Sequence, residues 1–211
     1  MSAESREFSM ELDPSSLRPS LVYQHLVRII VPRPIAWVST RSASGIDNLA
    51  PFSFFSGVGS RPPSLLFCPA NDRHGRHKDT LRNVLETREF CVNVCTDASV
   101  ASMDETAGEF PACESEFEKC GLTAVDAAKV SVSRVAESPV HIECELMNWF
   151  CLDDGPGGSN IVIGRIVHLS IDDAVIDEGG FVDPNQLRAV GRMGGEEYCR
   201  TRDRFRVDDH S

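Results

Sequence analysis

From residue 35 to residue 95 the apolar positions fall in short runs separated by turn residues. Ile35–Thr40 (IAWVST) is β-branched and aromatic and closes on RSASGID, which predicts a strand followed by a turn. The run NLAPFSFF (48–55) predicts the returning strand, and its Pro51 predicts a sheet edge or a bulge. SLLFC (64–68) predicts a third strand, introduced by Arg61, Pro62 and Pro63. The period then changes. In KDTLRNVLETREF, Leu81, Val84 and Leu85 lie at i, i+3 and i+4, the stripe of a helix of two to three turns.

FCVNVC (90–95) reads as a buried strand, and residues 97–121 as one short helix within an acidic, irregular excursion. VHIECELMNWFCL (140–152) and NIVIGRIVHLSI (160–171) predict two long strands joined by DDGPGGS as a hairpin. Upstream, a short helix is expected before the Pro32–Pro34 pair; residues 1–15 and 207–211 are expected to be loose, and the tail from 185 to be turn-rich. Strands outnumber helices and the connections are short. This predicts a mainly β fold, an antiparallel barrel with peripheral α-helices in a single domain over 1–211, rather than alternating βαβ units.

Charge narrows the partners. The chain of 211 residues carries a formal net charge of −11, which disfavours nucleic-acid phosphates and anionic membranes. Basic residues nonetheless cluster in NDRHGRHKDTLR (71–82) and again over 188–206. No apolar run approaches the roughly 18–20 residues needed to span a bilayer. The polar start MSAESREFSMELD lacks the pattern of a signal peptide, so a cytoplasmic location is expected. Eight cysteines without a CxxC pair read as reduced thiols, five of them (Cys68, Cys91, Cys95, Cys144 and Cys151) in apolar strand-like stretches.

Common catalytic signatures are missing. GGSNIVIG and GRMGGEEY do not open a helix in a βαβ unit, and there is no phosphate-binding GxxxxGK[ST], no HExxH and no GxSxG. His74 and His77, with Asp72 and Asp79 nearby, are a weak metal pattern whose alternative is a solvated basic loop; no metal is expected. What remains suits an anionic cofactor with a flat ring. Lys78, Asp79 and Thr80 open the predicted helix, where backbone N–H groups and the dipole favour a phosphate. Ser39 and Thr40 place hydroxyls at the expected exposed end of their strand. Asn48, Ser53 and the backbone of Leu49–Phe54 supply amide-type donors and acceptors. Taken singly, Asp79 is equally an N-cap, Thr80 a first-turn residue and Asn48 a turn former. No side chain stands out as a general base.

The order PRPIAWVST-x6-DNLAPFSFFSGV-x3-PPSLLFCP-x8-KDTLRNVLETREFCVNV resembles the flavin reductase-like, FMN-binding split-barrel family. The likeness continues through SEFEKCGLT, ESPVHIECEL, GRIVHL and GRMGGEEY and covers roughly residues 20–200. It implies a six-stranded Greek-key barrel holding FMN without a covalent bond, as a homodimer. By resemblance, Asn48, Leu49, Ala50, Pro51 and Ser53 line the isoalloxazine, while Ser39, Thr40, Lys78, Asp79 and Thr80 form the ribityl-phosphate side. Arg33 either joins them or is a structural edge charge, and Arg192 and Tyr198 belong to a segment closing over the site. Phe52 and Phe55 are either pocket wall or plain barrel core.

The activity implied is reduction of flavin or of a small acceptor with electrons from NADH or NADPH. The alternatives are a flavoredoxin-like electron carrier handing electrons to a small molecule or a protein, and a split barrel without flavin. A Gly-Asp-His motif that meets nicotinamide in short-chain members is incomplete here, since Ile166 and Val167 precede His168.

Overall fold

The corner that shapes the molecule is two residues long. In the computed structural model, which describes residues 10–207, the single strand expected at NLAPFSFF is two strands separated by Ser53 and Phe54. In chain order the helices are α1 (Pro19–Ile29), α2 (Asp79–Thr87), α3 (Val100–Glu105), α4 (Glu116–Lys119) and α5 (Pro184–Leu187). The first strands are β1 (Ala36–Arg41), β2 (Asp47–Phe52), β3 (Phe55–Ser60), β4 (Pro63–Phe67) and β5 (Glu89–Val94). They are followed by β6 (Ala124–Asp126), β7 (Ser133–Val135), β8 (Val140–Cys151), β9 (Asn160–Ile171), β10 (Val190–Arg192) and β11 (Tyr198–Arg200).

The main sheet is antiparallel throughout and runs β2-β1-β5-β8-β9-β4-β3. It therefore has seven strands, not six. β2 and β3 occupy its opposite edges yet are joined by only Ser53–Phe54, so the sheet must curl until those edges meet at that corner. The joint is covalent, with no ladder between the two strands, which makes the barrel split. Cys68 N–H donates to the Phe54 carbonyl at 2.9 Å and holds the corner against the end of β4. Curvature is supplied largely by β8, whose pairing with β9 shifts register at Glu143/Cys144 and at Leu146/Asn148. Such bulges increase local twist and bend a strand.

β1 is buried on both faces, which explains a nearly continuous apolar run. Ala36 and Val38 point into the barrel with Leu65, Phe67, Phe90, Val92 and Val162. Trp37 and Ile35 point the other way, into a second cluster with Leu49, Met103, Phe117, Val135 and Val190. Leu81 and Val84 of α2 are fully buried in the barrel cluster, with Leu85 packed against it, as their spacing predicts. Phe52 and Phe55 pack partly buried on the same core, and the Phe52 and Phe67 ring centroids lie 5.1 Å apart.

The acidic stretch forms two helices, α3 and α4, rather than one. All eight cysteines are free thiols. Burial pushes Cys91 up to about 12 and Cys95 to about 11, so both behave as small apolar groups. Cys151 differs, lying exposed at the end of β8. The expectation of loose termini falls mostly on residues 1–9 and 208–211, outside the described residues; Pro14–Ser16 form one 3-10 turn capped by Asp13. Among the described residues no helix is long and apolar enough to cross a membrane.

Gly164 marks the tightest point of the barrel interior. A Cβ there would sit 2.3 Å from Cζ of Phe90 and 3.1 Å from Cβ of Cys144. Gly164→Ala is expected to destabilise the fold by about 1–3 kcal/mol, read as a lower denaturation midpoint, and Phe90→Leu in the same chain is expected to recover part of the loss. An unchanged midpoint in the single variant would show that the interior has room there.

Candidate functional site

Two cavities meet at Pro51 and Ala107, which line both. The larger, about 510 Å³, is a groove running from the edge of β2 to the start of α2 and the loop before it. Its size is in the usual range for small-molecule and cofactor sites. The smaller, about 280 Å³, lies between α1, the Ser53 corner, α3 and the β10–β11 hairpin.

One end of the groove is basic. Arg73, His74, Arg76, His77, Lys78 and Arg82 line it. Asp72 organises the loop: Oδ1 accepts the N–H groups of His74 (2.7 Å) and Arg76 (2.9 Å), and Oδ2 accepts Arg76 Nε at 2.8 Å. These bonds, the Arg76 backbone N–H first among them, hold its carboxyl down at about 2. Gly75 makes the turn at φ +80°, the left-handed region that glycine tolerates. Asn71 then ties the loop to the β8–β9 hairpin, with Nδ2 donating to the carbonyls of Asp153 (3.3 Å) and Gly155 (3.2 Å). His77 packs edge-on against Trp149 at 5.6 Å. Asp72 is engaged within the loop and Asp79 pairs with Arg82 inside α2. Among the described residues no cluster of three or more His, Cys, Asp or Glu is placed to hold a metal.

Lys78 is the N-cap of α2 and provides no side-chain cap, so the first-turn N–H groups have no side-chain acceptor there. Among the described residues no carboxylate lies within ion-pair distance of Lys78, whereas Asp79 pairs with Arg82 and Asp72 with Arg76. An uncapped helix start beside a free ammonium is a donor set for a phosphate.

Behind that end lies a buried polar layer. Asn48 Nδ2 donates to Thr80 Oγ1 (3.0 Å) and Thr40 Oγ1 (3.3 Å), and Asn83 Nδ2 donates to Thr40 Oγ1 (3.1 Å). Both amide hydrogens of Asn48 are spent, so what it retains for a ligand is Oδ1, an acceptor. Ser39 and Thr40 do not stand at an exposed strand end: both are fully buried, because β1 is covered by β2, β5 and α2. Ser39 Oγ accepts Asn93 Nδ2 at 3.1 Å, and Asn93 Oδ1 accepts the Val135 N–H at 2.9 Å, which ties β1, β5 and β7.

β2 is an edge strand, as Pro51 implies. Residues 47, 49 and 51 turn their backbone groups outward. Pro51 has no N–H to offer, and the Leu49 N–H is taken by Glu116 Oε2 at 2.8 Å. Glu116 lines the groove, and burial raises its carboxyl above the usual range. The residue pattern gave no separate signal for it beyond the block SEFEKCGLT. Leu49 itself is fully buried; Asn48, Ala50, Pro51, Lys78, Asp79 and Thr80 line the groove.

Arg33, Ser53, Arg192 and Tyr198 line the smaller cavity instead, and share only Pro51 with the set above. Arg33 is buried and held by four hydrogen bonds to the chain. Nη1 donates to the carbonyls of Val27 (2.6 Å) and Ile30 (2.8 Å), Nε to Ser53 Oγ (3.1 Å) and Nη2 to the Met193 carbonyl (2.9 Å). Arg192 and Tyr198 face each other across the hairpin, and Arg192 exchanges backbone hydrogen bonds with Arg33 at 2.8 and 3.0 Å. Tyr198 donates to Asp104 and accepts from Arg192. Burial, then the Asp104 bond, pushes its phenol up to about 12, so it stays protonated. Asp104, Tyr23 and Gln24, which carry no motif, also line it. His168 lies on β9 opposite Glu143 and lines neither cavity.

Residues 27–188 match the family described as flavin reductase like domain, and the chain belongs to it. A Halalkalibacterium halodurans protein is 37% identical over 202 residues, covering 94% of this chain and 96% of that one. Among solved structures, nitrilotriacetate monooxygenase component B from Bacillus cereus superposes with a TM-score of 0.90 at 29% identity, covering 95% of this chain and 100% of that chain. The 2-nitrobenzoate 2-nitroreductase NbaA of Pseudomonas fluorescens superposes with a TM-score of 0.85 at 30% identity, over 94% of this chain and 95% of that chain.

The Asp72 carboxyl titrates lower in the folded loop than its ordinary 3.8. Its contribution to loop order is therefore fully present above the ordinary value and is lost as pH falls toward about 2. Amide exchange at His74 and Arg76 is expected to lose protection in that window before the barrel does. At neutral pH, Asp72→Ala is expected to open the loop to tryptic cleavage after Arg73 or Arg76; resistance equal to wild type would show that Asn71 and Gly75 hold it alone.

Proposed function

We propose that this protein is an FMN-binding oxidoreductase, taking electrons from NADH or NADPH and delivering them to flavin or another small acceptor. The observation that carries the reading is the polarity of the groove: an uncapped helix start with a free ammonium at one end, and the edge of β2 at the other. FMN, when bound, supplies reversible storage of two electrons. The chain's part is placement. Lys78 and the first-turn N–H groups of α2 hold the phosphate, with the Asp72 loop keeping Arg73 and His74 beside it. Thr40, Thr80 and Asn83 fix the buried polar layer so that Asn48 offers Oδ1 to a ring N–H or a ribityl hydroxyl. Ala50 and Pro51 present a flat, uncharged strand edge to the ring. Glu116 holds that edge in place through the Leu49 N–H.

The relatives support an oxidoreductase, since they include a monooxygenase component and a nitroreductase. One observation favours a second reading, an electron carrier served by a partner protein: His168 lies away from both cavities, so the incomplete nicotinamide motif gains no help from the fold. The assembly we propose is a cytoplasmic, single-domain homodimer. Its support is the apolar outer face of α1, where Leu26, Ile29 and Ile30 are 41%, 73% and 49% exposed, more than a lone helix of this size needs to show.

The purified protein is expected to be yellow or to take up FMN, and to bleach under anaerobic conditions with NADH or NADPH. A flavin that stays oxidised with both would establish the carrier reading, and a protein that takes up no flavin would overturn both. Lys78→Ala is expected to weaken FMN by about 1.5–3 kcal/mol, roughly ten- to hundredfold in Kd, with the fold intact; an unchanged titration would remove the phosphate from this end of the groove.

A further inference from the structure

The smaller cavity holds an imbalance of charge. Arg33 is 4% exposed and, among the described residues, has no carboxylate within ion-pair distance. Its partners are three carbonyls and the Ser53 hydroxyl, which satisfy four of the five N–H groups of a guanidinium. One Nη2 hydrogen is left over, on a buried cation that lines the cavity. A second guanidinium, Arg192, lines the same space and is balanced by Asp104 at 3.3 Å. Two guanidiniums against one carboxylate leave a single positive charge with no counter-ion from the chain. Burying a charge without a partner is costly, so the cavity favours whatever anion brings one.

The rest of the lining defines the body of that anion. Val27, Ile35, Pro51, Met103 and Ala107 are apolar, and Tyr23 adds an aromatic face. One free donor and one unbalanced charge match a monoanion; a phosphate dianion would leave a charge of its own unbalanced. We propose that this cavity binds a small organic carboxylate with an apolar body, recognised by the free Nη2 hydrogen of Arg33 beside Arg192. Because Pro51 and Ala107 line both cavities, the bound carboxylate lies next to the groove assigned above to FMN. In that respect the inference rests on the flavin reading and narrows the class of small molecule that meets the cofactor.

Benzoate and its neutral isostere benzamide separate charge from shape. Protein carrying FMN is titrated with each, read by the visible spectrum of the flavin and by calorimetry, in low-chloride buffer without phosphate. Benzoate is expected to bind at least tenfold more tightly than benzamide. Asp104→Asn keeps an acceptor for Tyr198 but removes the negative charge, and is expected to tighten benzoate several-fold while leaving benzamide unchanged. A damaged fold would weaken both ligands, so this gain is not open to a structural explanation. Arg33→Gln is expected to abolish the preference for benzoate; if that variant fails to fold, the Asp104→Asn comparison decides alone. Equal binding of benzoate and benzamide, or no gain in Asp104→Asn, overturns the proposal, as does displacement of benzoate by inorganic phosphate at equal concentration. Protein that takes up no FMN but still prefers benzoate by calorimetry would refute the flavin reading and leave the carboxylate site standing.

Discussion

One guanidinium joins the parts of this protein that would otherwise have no reason to meet. Arg33 draws in the end of α1 through the Val27 and Ile30 carbonyls, the barrel corner through Ser53 and the C-terminal hairpin through Met193. Its plane also lies 5.8 Å from the centroid of the Phe54 ring, which Tyr23 of α1 meets edge-on at 6.4 Å. A hydrogen bond to a charged group contributes about 1.5–3 kcal/mol, but a buried charge is expensive to desolvate, so these neutral acceptors offset only part of that cost. What they secure is geometry. The corner is the place where the two edges of a seven-stranded sheet meet without a ladder, and Arg33 ties it to α1 and the hairpin as Cys68 ties it to β4.

The same corner divides the site. On the β2 side lies a groove whose polarity is set by the backbone: an edge strand with Pro51 at its outer face, and a helix start left uncapped. On the Ser53 side lies a smaller chamber closed by α1, α3 and the hairpin. Pro51 stands between them because it belongs to the last turn of β2 before the chain crosses from one edge of the barrel to the other. Placing two cavities on either side of one strand end is an arrangement that two sequentially adjacent strands on opposite sheet edges make available.

Electrostatics run against the bulk composition. A chain with a formal net charge of −11 builds a basic groove by spending its acids selectively. Asp72 and Asp79 neutralise Arg76 and Arg82 and shape the loop, which leaves Lys78 free. Glu116, which lines the groove near β2, is occupied by the Leu49 backbone N–H. Overall repulsion of polyanions and local attraction of a small one are compatible because screening confines the second to a few ångströms.

Much of this was legible in the residues. The β-branched and aromatic run of IAWVST, the 3.6-residue stripe of Leu81, Val84 and Leu85, and the turn chemistry of DDGPGGS are local, and local physics decided them. The start of α2 beside Lys78 could be read for the same reason, since the turn before it and the apolar stripe within it are both local. Ser53–Phe54 could not be read as a corner, because an edge-to-edge transfer depends on strands far along the chain. Nor could the depth of Ser39 and Thr40, which look like a strand end until α2 and β5 cover them. Arg33 is the clearest case: the sequence determined that a cation stands before β1, and only the tertiary structure decided that its partners are carbonyls 6, 3 and 160 residues away, because a long-range hydrogen bond exists only once the barrel has closed.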